Sequence, residues 1–145
     1  MGWDIGVLLL PLIGFVGTSA MTFSPHILIV DDNADVRMLI REVLSRMTSL
    51  IDECGNGQDA VERLRENRYD LVLTDICMPY LDGYGVLDYI RRMSLSTRPG
   101  VIVISGNISS GEETHLLHLG AARVLTKPLS IARLVAVCQE TLVKS

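Results

Sequence analysis

The sequence lacks the features of nucleic-acid-binding, zinc-binding and disulfide-bonded proteins. Its 13 Lys and Arg residues are outnumbered by 17 Asp and Glu, for a formal net charge of -4, and they are scattered along the chain. Such a surface offers no positive patch for a phosphate backbone. The cysteines Cys54, Cys77 and Cys138 show no C-x-x-C spacing, which excludes the usual zinc and disulfide patterns. Reduced thiols in a cytosol are the simplest interpretation.

The chain also has no internal repeat, low-complexity tract or interdomain linker, so we expect one domain. With 145 residues, 48% apolar and 21% charged, it is able to bury a core. From Pro25 onward, β-rich runs alternate with helical patterns, which predicts an α/β fold with a parallel sheet and helices on both faces. The predicted strands are HILIV, SLIDEC, LVLT, VIVIS and RVLT. No second domain is expected after Ser145.

Five helices are predicted from apolar residues that recur at helical spacing. The stripe of the first helix is Val36, Leu39, Ile40, Val43, Leu44 and Met47. The second follows GNGQ, and the third runs from about Tyr84 to Arg92. The fourth begins with a capping-box pattern, Ser110 followed by Glu113, and stops at Gly120. The last begins after Ser130, with Ile131, Leu134, Val135, Cys138 and Leu142 on one side.

Residues 1–24 form an apolar leader whose status the sequence leaves open. Ile5 to Pro25 carries no charged side chain, and IGVLLLPLIGFV resembles the apolar section of a signal peptide. No Lys or Arg precedes Arg37, however, so the basic region of such a peptide is missing. A chain starting at Met21 would begin just before the first strand. A mis-assigned start or passive leader is therefore favoured over a signal or membrane anchor, and both over a packed extra helix.

Polar residues at the ends of the predicted strands suggest the chemistry of the domain. Asp31, Asp32, Asp75, Ser105 and Lys127 follow or end four strands, and the carboxyl ends of strands hold the ligand site in such sheets. Three carboxylates at one edge repel one another unless cations compensate, and a divalent ion together with Lys127 would balance them. Oxygen-only ligands favour Mg²⁺. A remaining carboxylate is then available as a nucleophile toward a phosphoryl group.

Four motifs together resemble the receiver domain of bacterial two-component response regulators. They are IVDD, the pattern D-x-x-M-P-x-x-D-G from Asp75 to Gly83, the hydroxyl residue in VIVISGN, and the pair Lys127 and Pro128. The resemblance covers residues 25–145 and implies a flavodoxin-like (βα)5 sheet of order 2-1-3-4-5. It also implies a cytoplasmic phosphorylation switch rather than a separate enzyme. The phosphodonor would be a histidine kinase or a histidine phosphotransfer protein, and a stand-alone monomer or weak dimer would signal by protein contact.

The resemblance also implies a role for each matching residue. Asp75 matches the phosphoacceptor, and Ser105 and Lys127 would contact the phosphoryl oxygens. Asp32, Asp75 and the backbone carbonyl of Cys77 would bind Mg²⁺, with Asp31 acting through water or indirectly. Pro79 fixes the loop after the acceptor, Gly83 permits a tight turn, and Pro128 matches a proline whose preceding bond is usually cis.

Three positions bear on how the switch would work. Many receivers carry Tyr or Phe three residues before the lysine, where this chain has Val124, which has one stiff rotamer and no ring to move. We therefore expect the signal to appear in the loop after Ser105 and in surface charge. Cys77 and Asn107 match positions that modulate phosphoryl lifetime in the family. A thiol hydrogen-bonds weakly, which predicts slow self-dephosphorylation.

Two other functions remain as alternatives. In GNGQDA, Gly55, Gly57 and Ala60 fit G-x-G-x-x-A after a strand, with Asp75 at a distance suited to a ribose contact, as in a small dinucleotide-binding protein. The preceding strand carries acidic Asp52, however, which would repel a pyrophosphate. The other alternative is a receiver-like module that binds partners constitutively without phosphorylation.

Overall fold

The computed structural model describes residues 23–144, so nearly all of the leader lies outside the described residues. Within that part, five parallel strands form one sheet of order β2-β1-β3-β4-β5. The strands are β1 (Ile27–Val30), β2 (Ile51–Cys54), β3 (Leu71–Asp75), β4 (Gly100–Ser105) and β5 (Arg123–Thr126). The helices are α1 (Ala34–Leu44), α2 (Gly57–Glu66), α3 (Gly83–Arg91), α4 (Ser110–His118) and α5 (Ile131–Lys144). The predicted flavodoxin-like fold and strand order are confirmed.

The central strands are apolar along nearly their whole length because helices cover both faces of the sheet. Successive side chains of a strand point to opposite faces, so each strand contributes to two separate clusters. On one face, Leu28 and Val72 pack with residues of α2, α3 and α4. On the other, Ile29 and Leu73 pack with residues of α1 and α5, including the fully buried Cys138. None of the helices within residues 23–144 is long and apolar enough to cross a membrane.

Two helix predictions need correction. The capping box of α4 is formed by Ser109 and Glu112, one residue earlier than the predicted pair Ser110 and Glu113. The sequence SSGEE satisfies the pattern in both registers, and Ser109 is the residue with extended backbone, at φ -77° and ψ 162°. The apolar stripes of α1 and α5 are also narrower than expected. Leu39 is 42% exposed and Ile131 is 53% exposed, because both lie at the margin of the face that packs on the sheet.

A hydrogen-bonded group of side chains near the amino ends of the strands anchors β2, the outermost strand of the sheet. Asp52 accepts a hydrogen bond of 2.6 Å from the Tyr69 hydroxyl, and its Oδ2 lies 3.0 Å from His26 Nε2. Burial raises the pKa of Asp52, but the bonds from Tyr69 and His26 outweigh that effect and bring the pKa below its ordinary value. The ionised carboxylate therefore stabilises the fold.

We expect Asp52→Asn to lower the free energy of unfolding by about 1–2 kcal/mol at pH 7, since the charge-assisted bonds are weakened. Because folding lowers the pKa of Asp52, its contribution is present above the pKa of the unfolded chain and is lost as the pH falls through the folded value. The difference between wild type and variant should shrink below about pH 4. Urea unfolding at several pH values measures it. Asp88→Asn, which removes an exposed carboxylate paired with Arg91, is the control and should change stability less.

Candidate functional site

Three carboxylates meet at the carboxyl edge of the sheet. Asp31 follows β1 and Asp75 ends β3, and these strands are neighbours with Val30 paired to Thr74. Asp31, Asp32 and Asp75, here called the carboxylate cluster, each offer an oxygen within 4.8 Å of the others. Asp31 is 2% exposed and Asp75 is 7% exposed, whereas Asp32 is open to solvent. The cluster is thus a half-open acidic pocket, in which the carboxylates of Asp31 and Asp75 are buried and that of Asp32 faces solvent.

Lys127 joins the two buried members of the cluster. Its Nζ donates hydrogen bonds of 3.1 Å to Asp31 Oδ2 and 3.0 Å to Asp75 Oδ2. Lys127 directly follows β5, and its backbone N–H donates a hydrogen bond of 2.8 Å to the carbonyl of Ser105 at the end of β4. Burial lowers the pKa of Lys127, but the bonds to Asp75 and Asp31 outweigh burial, and the pKa lies above its ordinary value. The ammonium is therefore charged at neutral pH.

One ammonium does not fully compensate the cluster. Burial raises the pKa of Asp31, and the charge of Asp75 adds to the rise. The Asn33 backbone N–H and Lys127 oppose this without cancelling it. With three carboxylates and one ammonium, the ionised cluster carries excess negative charge, and the ligand atoms that it offers are carboxylate oxygens. That donor set fits a hard divalent cation such as Mg²⁺.

The loop between β3 and α3 fixes the orientation of Asp75. Asp75 Oδ1 accepts hydrogen bonds from the backbone N–H of Ile76 at 2.7 Å and of Cys77 at 3.4 Å. The loop closes where Gly83 N–H bonds to the Ile76 carbonyl at 2.9 Å. A Cβ on Gly83 would lie 2.2 Å from the Asp75 carbonyl oxygen, so only glycine allows this approach. Pro79, like Cys77, is an exposed residue of this loop.

Ser105 and Val124 lie on β4 and β5, the two strands beyond β3 in the sheet. Ser105 ends β4 and is buried, and it pairs with Thr126 in the register of β4 and β5. Val124 is 9% exposed and lies in the same apolar cluster as Leu116 of α4. No aromatic ring therefore occupies this position of β5. The Lys127–Pro128 peptide bond is cis, as the family resemblance implied.

The glycine-rich segment GNGQ does not form a nucleotide site. Gly57 N–H donates a 2.9 Å hydrogen bond to the Leu81 carbonyl, and a Cβ on Gly57 would lie 2.2 Å from that oxygen. The Asn56 side chain caps α2 by accepting from Asp59 N–H at 2.8 Å. The loop after Asp75 thus covers the start of α2, where a pyrophosphate would have to bind. The structure argues against the dinucleotide-binding alternative.

The structure brings Asp31, Asp32, Asp75 and Lys127 together, as the sequence predicted, and places Ser105 at the same edge. Sequence reasoning missed two residues beside them. Asn33 caps α1, and its backbone N–H bonds to Asp31 Oδ1 at 2.9 Å. An Asn before a helical stripe is a recognisable cap signal. The Arg37 guanidinium bonds to the Asp31 carbonyl after β1 and to Glu53 on β2. No local sequence pattern indicates these contacts, because they join separate segments of the chain.

The comparisons with known proteins agree with this geometry. A family model described as the response regulator receiver domain matches residues 27–139, and the chain belongs to that family. It is 33% identical over 118 residues to the chemotaxis protein CheY of Bacillus subtilis, covering 81% of this chain and 97% of CheY. It is also 32% identical over 108 residues to the signal transduction histidine-protein kinase BarA of Escherichia coli. That match covers 74% of this chain and 12% of BarA.

Solved structures of the same class are similar throughout the domain. The receiver domain of the sensor histidine kinase PA1611 from Pseudomonas aeruginosa, with magnesium coordinated in its active-site cleft, has a TM-score of 0.73 at 28% identity. The match covers 83% of this chain and 98% of that one. The receiver domain of NtrX from Brucella abortus has a TM-score of 0.74 at 28% identity, covering 82% and 99% of the two chains.

We expect Gly83→Ala to destabilise the domain by about 1–3 kcal/mol, the usual effect of overpacking a tight contact. The added methyl group would displace the Asp75 backbone, so the loop that orients the Asp75 side chain should shift as well. Thermal or urea unfolding measures the first effect, and backbone amide chemical shifts of Ile76 and Cys77 measure the second. The matched control is Gly111→Ala, whose new Cβ would have only Ser109 Oγ nearby, at 4.0 Å. Equal stability of the two variants would contradict the prediction.

Proposed function

We propose that this protein is a phosphoacceptor switch of a two-component phosphorelay. Asp75 would accept a phosphoryl group from a histidine kinase or a histidine phosphotransfer protein, with Mg²⁺, and the phosphorylated domain would signal through protein contacts in the cytoplasm. The receiver domain would comprise residues 25–145. The proposal rests on one observation above all: Lys127 bonds both Asp31 and Asp75 within the half-open acidic pocket of a receiver-family fold.

The carboxylate cluster suits Mg²⁺ by the chemistry of its donors. Asp32 is open to solvent, and the buried Asp31 and Asp75 each have an oxygen close to it. When bound, Mg²⁺ would neutralise charge on the phosphoryl oxygens and so favour their approach to the carboxylates. We assign Asp32 and Asp75 as side-chain ligands, Cys77 as a backbone carbonyl ligand, and Asp31 as an indirect one.

The residues of the chain would then carry out the transfer mainly by positioning. A carboxylate oxygen of Asp75 attacks phosphorus while the bond from phosphorus to the donor imidazole nitrogen breaks, and that nitrogen keeps the electron pair. The ammonium of Lys127, 3.0 Å from Asp75, is placed to pair with a phosphoryl oxygen. The Ser105 hydroxyl would bond another. The amide N–H groups of Ile76 and Cys77 hold the acceptor carboxylate in orientation.

The product would carry new negative charge and acceptor oxygens beside Ser105 and Lys127. Since β5 carries the small Val124 in place of a ring, we propose that the signal appears in the loop between β4 and α4 and in surface charge. A phosphorylated structure with that loop unmoved would contradict this. Buried Val124 also keeps the constitutive interaction module as a second candidate. By family resemblance, partners would contact the face of α4, β5 and α5.

Asp75→Asn should abolish phosphorylation, because an amide oxygen is a far weaker nucleophile than a carboxylate. The full chain is incubated with a small acyl phosphate, with and without Mg²⁺, and its intact mass is measured. Wild type should gain one phosphoryl group only when Mg²⁺ is present. Asp82→Asn is the matched control in the same loop, since Asn can still cap α3 by accepting from Gly85 N–H, and it should keep the adduct.

The absence of any adduct on a folded wild-type chain would overturn the proposed switch and favour the constitutive binding module. An adduct that persists in Asp75→Asn would place the phosphoryl group on another residue. An Mg²⁺-independent adduct would contradict the assigned role of the carboxylate cluster.

Cys77→Asn should shorten the lifetime of the aspartyl phosphate. Cys77 is exposed two residues after the acceptor, and a thiol orients an attacking water less well than an amide does. One added hydrogen bond to that water corresponds to an increase of about tenfold in the rate of loss. The rate is followed by intact mass after the donor is removed. Cys77→Ala, which adds no such bond, should decay like wild type, and equal rates in all three proteins would contradict the prediction.

A further inference from the structure

Arg37 lies in the first turn of α1 and connects three parts of the structure. Its Nη1 donates a hydrogen bond of 2.5 Å to the backbone carbonyl of Asp31, and its Nε donates one of 3.2 Å to Glu53 Oε1 on β2. The side chain is 21% exposed, so most of it is shielded from water. Gly55, beside the guanidinium, contributes no side chain to this space. Arg37 thus links the edge strand to the turn that carries the acidic residues.

The bond to the Asp31 carbonyl constrains more than Asp31. That carbonyl and the N–H of Asp32 belong to one planar peptide group, so fixing the carbonyl fixes the plane that joins the two carboxylate residues. The Asp31 N–H bonds to the Cys54 carbonyl at 3.1 Å, and its side-chain oxygens accept from Asn33 and Lys127. Asp31 is therefore held on every side. Asp32 is exposed, and the orientation of this plane determines where its side chain begins.

Glu53 keeps the guanidinium in place. It accepts from Arg37 through one carboxylate oxygen and from Arg41 through the other. The hydrogen bond from Arg41 has the largest effect on the pKa of Glu53 and lowers it, burial raises it, and the bond from Arg37 lowers it again. The pKa of Glu53 therefore lies below its ordinary value. Glu53 is thus ionised at neutral pH. A planar guanidinium with several fixed donors suits such bridging, whereas an ammonium offers a single charged point.

We propose that Arg37 is a positioning residue for the carboxylate cluster. Held by Glu53, its guanidinium fixes the peptide plane between Asp31 and Asp32 and thereby sets the affinity of the cluster for Mg²⁺. Outer groups that orient metal ligands commonly change metal affinity by about 10- to 100-fold when removed. The inference rests on the proposed function, since it assigns Mg²⁺ to this cluster.

The sign of the effect separates positioning from simple electrostatics. Arg37 is a positive charge beside a cation site, so its charge alone opposes Mg²⁺ binding. Removing only that charge would tighten binding. Loss of a fixed peptide plane would instead weaken binding, because the carboxylates must then be ordered as the ion binds.

The test compares Arg37→Met with Arg41→Met in the full chain. Both changes remove one positive charge and one contact to Glu53. Arg41, however, donates to the Ile51 carbonyl at 2.7 Å and not to Asp31, which makes it a matched control. The Mg²⁺ dissociation constant is measured by titration calorimetry without any phosphodonor. Hydrogen exchange of the Asn33 amide, which bonds to Asp31 Oδ1, is measured without metal.

We expect Arg37→Met to raise the Mg²⁺ dissociation constant about tenfold and to speed exchange of the Asn33 amide. Arg41→Met should leave both near wild type, since Arg41 donates to the Ile51 carbonyl and leaves the Arg37 bond to Asp31 in place. Arg37→Lys, which keeps a donor for the Asp31 carbonyl, should recover part of the loss.

An unchanged or lower dissociation constant for Arg37→Met would overturn the inference, as would an equal increase in Arg41→Met. If wild type binds Mg²⁺ and is phosphorylated while Arg37→Met keeps its affinity, only the inference fails. If wild type binds no Mg²⁺ and gains no phosphoryl group, the proposed function fails with it. Unfolding free energies of both variants, measured without metal, show whether a loss of fold explains any difference.

Discussion

The charge held at the carboxyl edge of the sheet is the constraint on which the other features of the site depend. Asp31 and Asp75 are buried beside each other, and desolvation of two carboxylates costs several kcal/mol unless cations and hydrogen bonds compensate. Lys127 reaches both, and backbone N–H groups serve their other oxygens. Three carboxylates nevertheless face one ammonium, and burial keeps the pKa of Asp31 above its ordinary value. A site in this state favours an added divalent cation over a neutral ligand.

The surrounding loops preserve this arrangement through backbone contacts. Gly83 packs on the carbonyl of Asp75, and Gly57 packs on that of Leu81 in the same loop, so two glycines allow three chain segments to approach closely. On the opposite side, Arg37 connects the Asp31 carbonyl to Glu53. Asp75 and the residues beside it are therefore positioned by contacts between neighbouring loops, while the sheet sets only where those loops begin.

Val124 distinguishes this chain from receivers that carry an aromatic ring before the lysine. It is buried with Leu116 in the apolar cluster under α4. Tyr84 on α3 and His115 on α4 lie near each other, with ring centroids 6.1 Å apart, so aromatic contact exists between these helices. Under the proposed function, a change at Asp75 would therefore reach α4 through the intervening loop and through charge, because Val124 has no ring to move.

The sequence alone determined the five strands, their alternation with helices and the residues at the strand ends, because hydrophobic periodicity and the D-x-x-M-P-x-x-D-G pattern are local properties. The order of the strands came from family resemblance, and the structure confirmed it. Only the tertiary structure decided the register of the α4 cap, the exposure of Leu39 and Ile131, and the contact between Arg37 and Asp31. These depend on which segments pack together across the chain, and no local pattern encodes such long-range contacts.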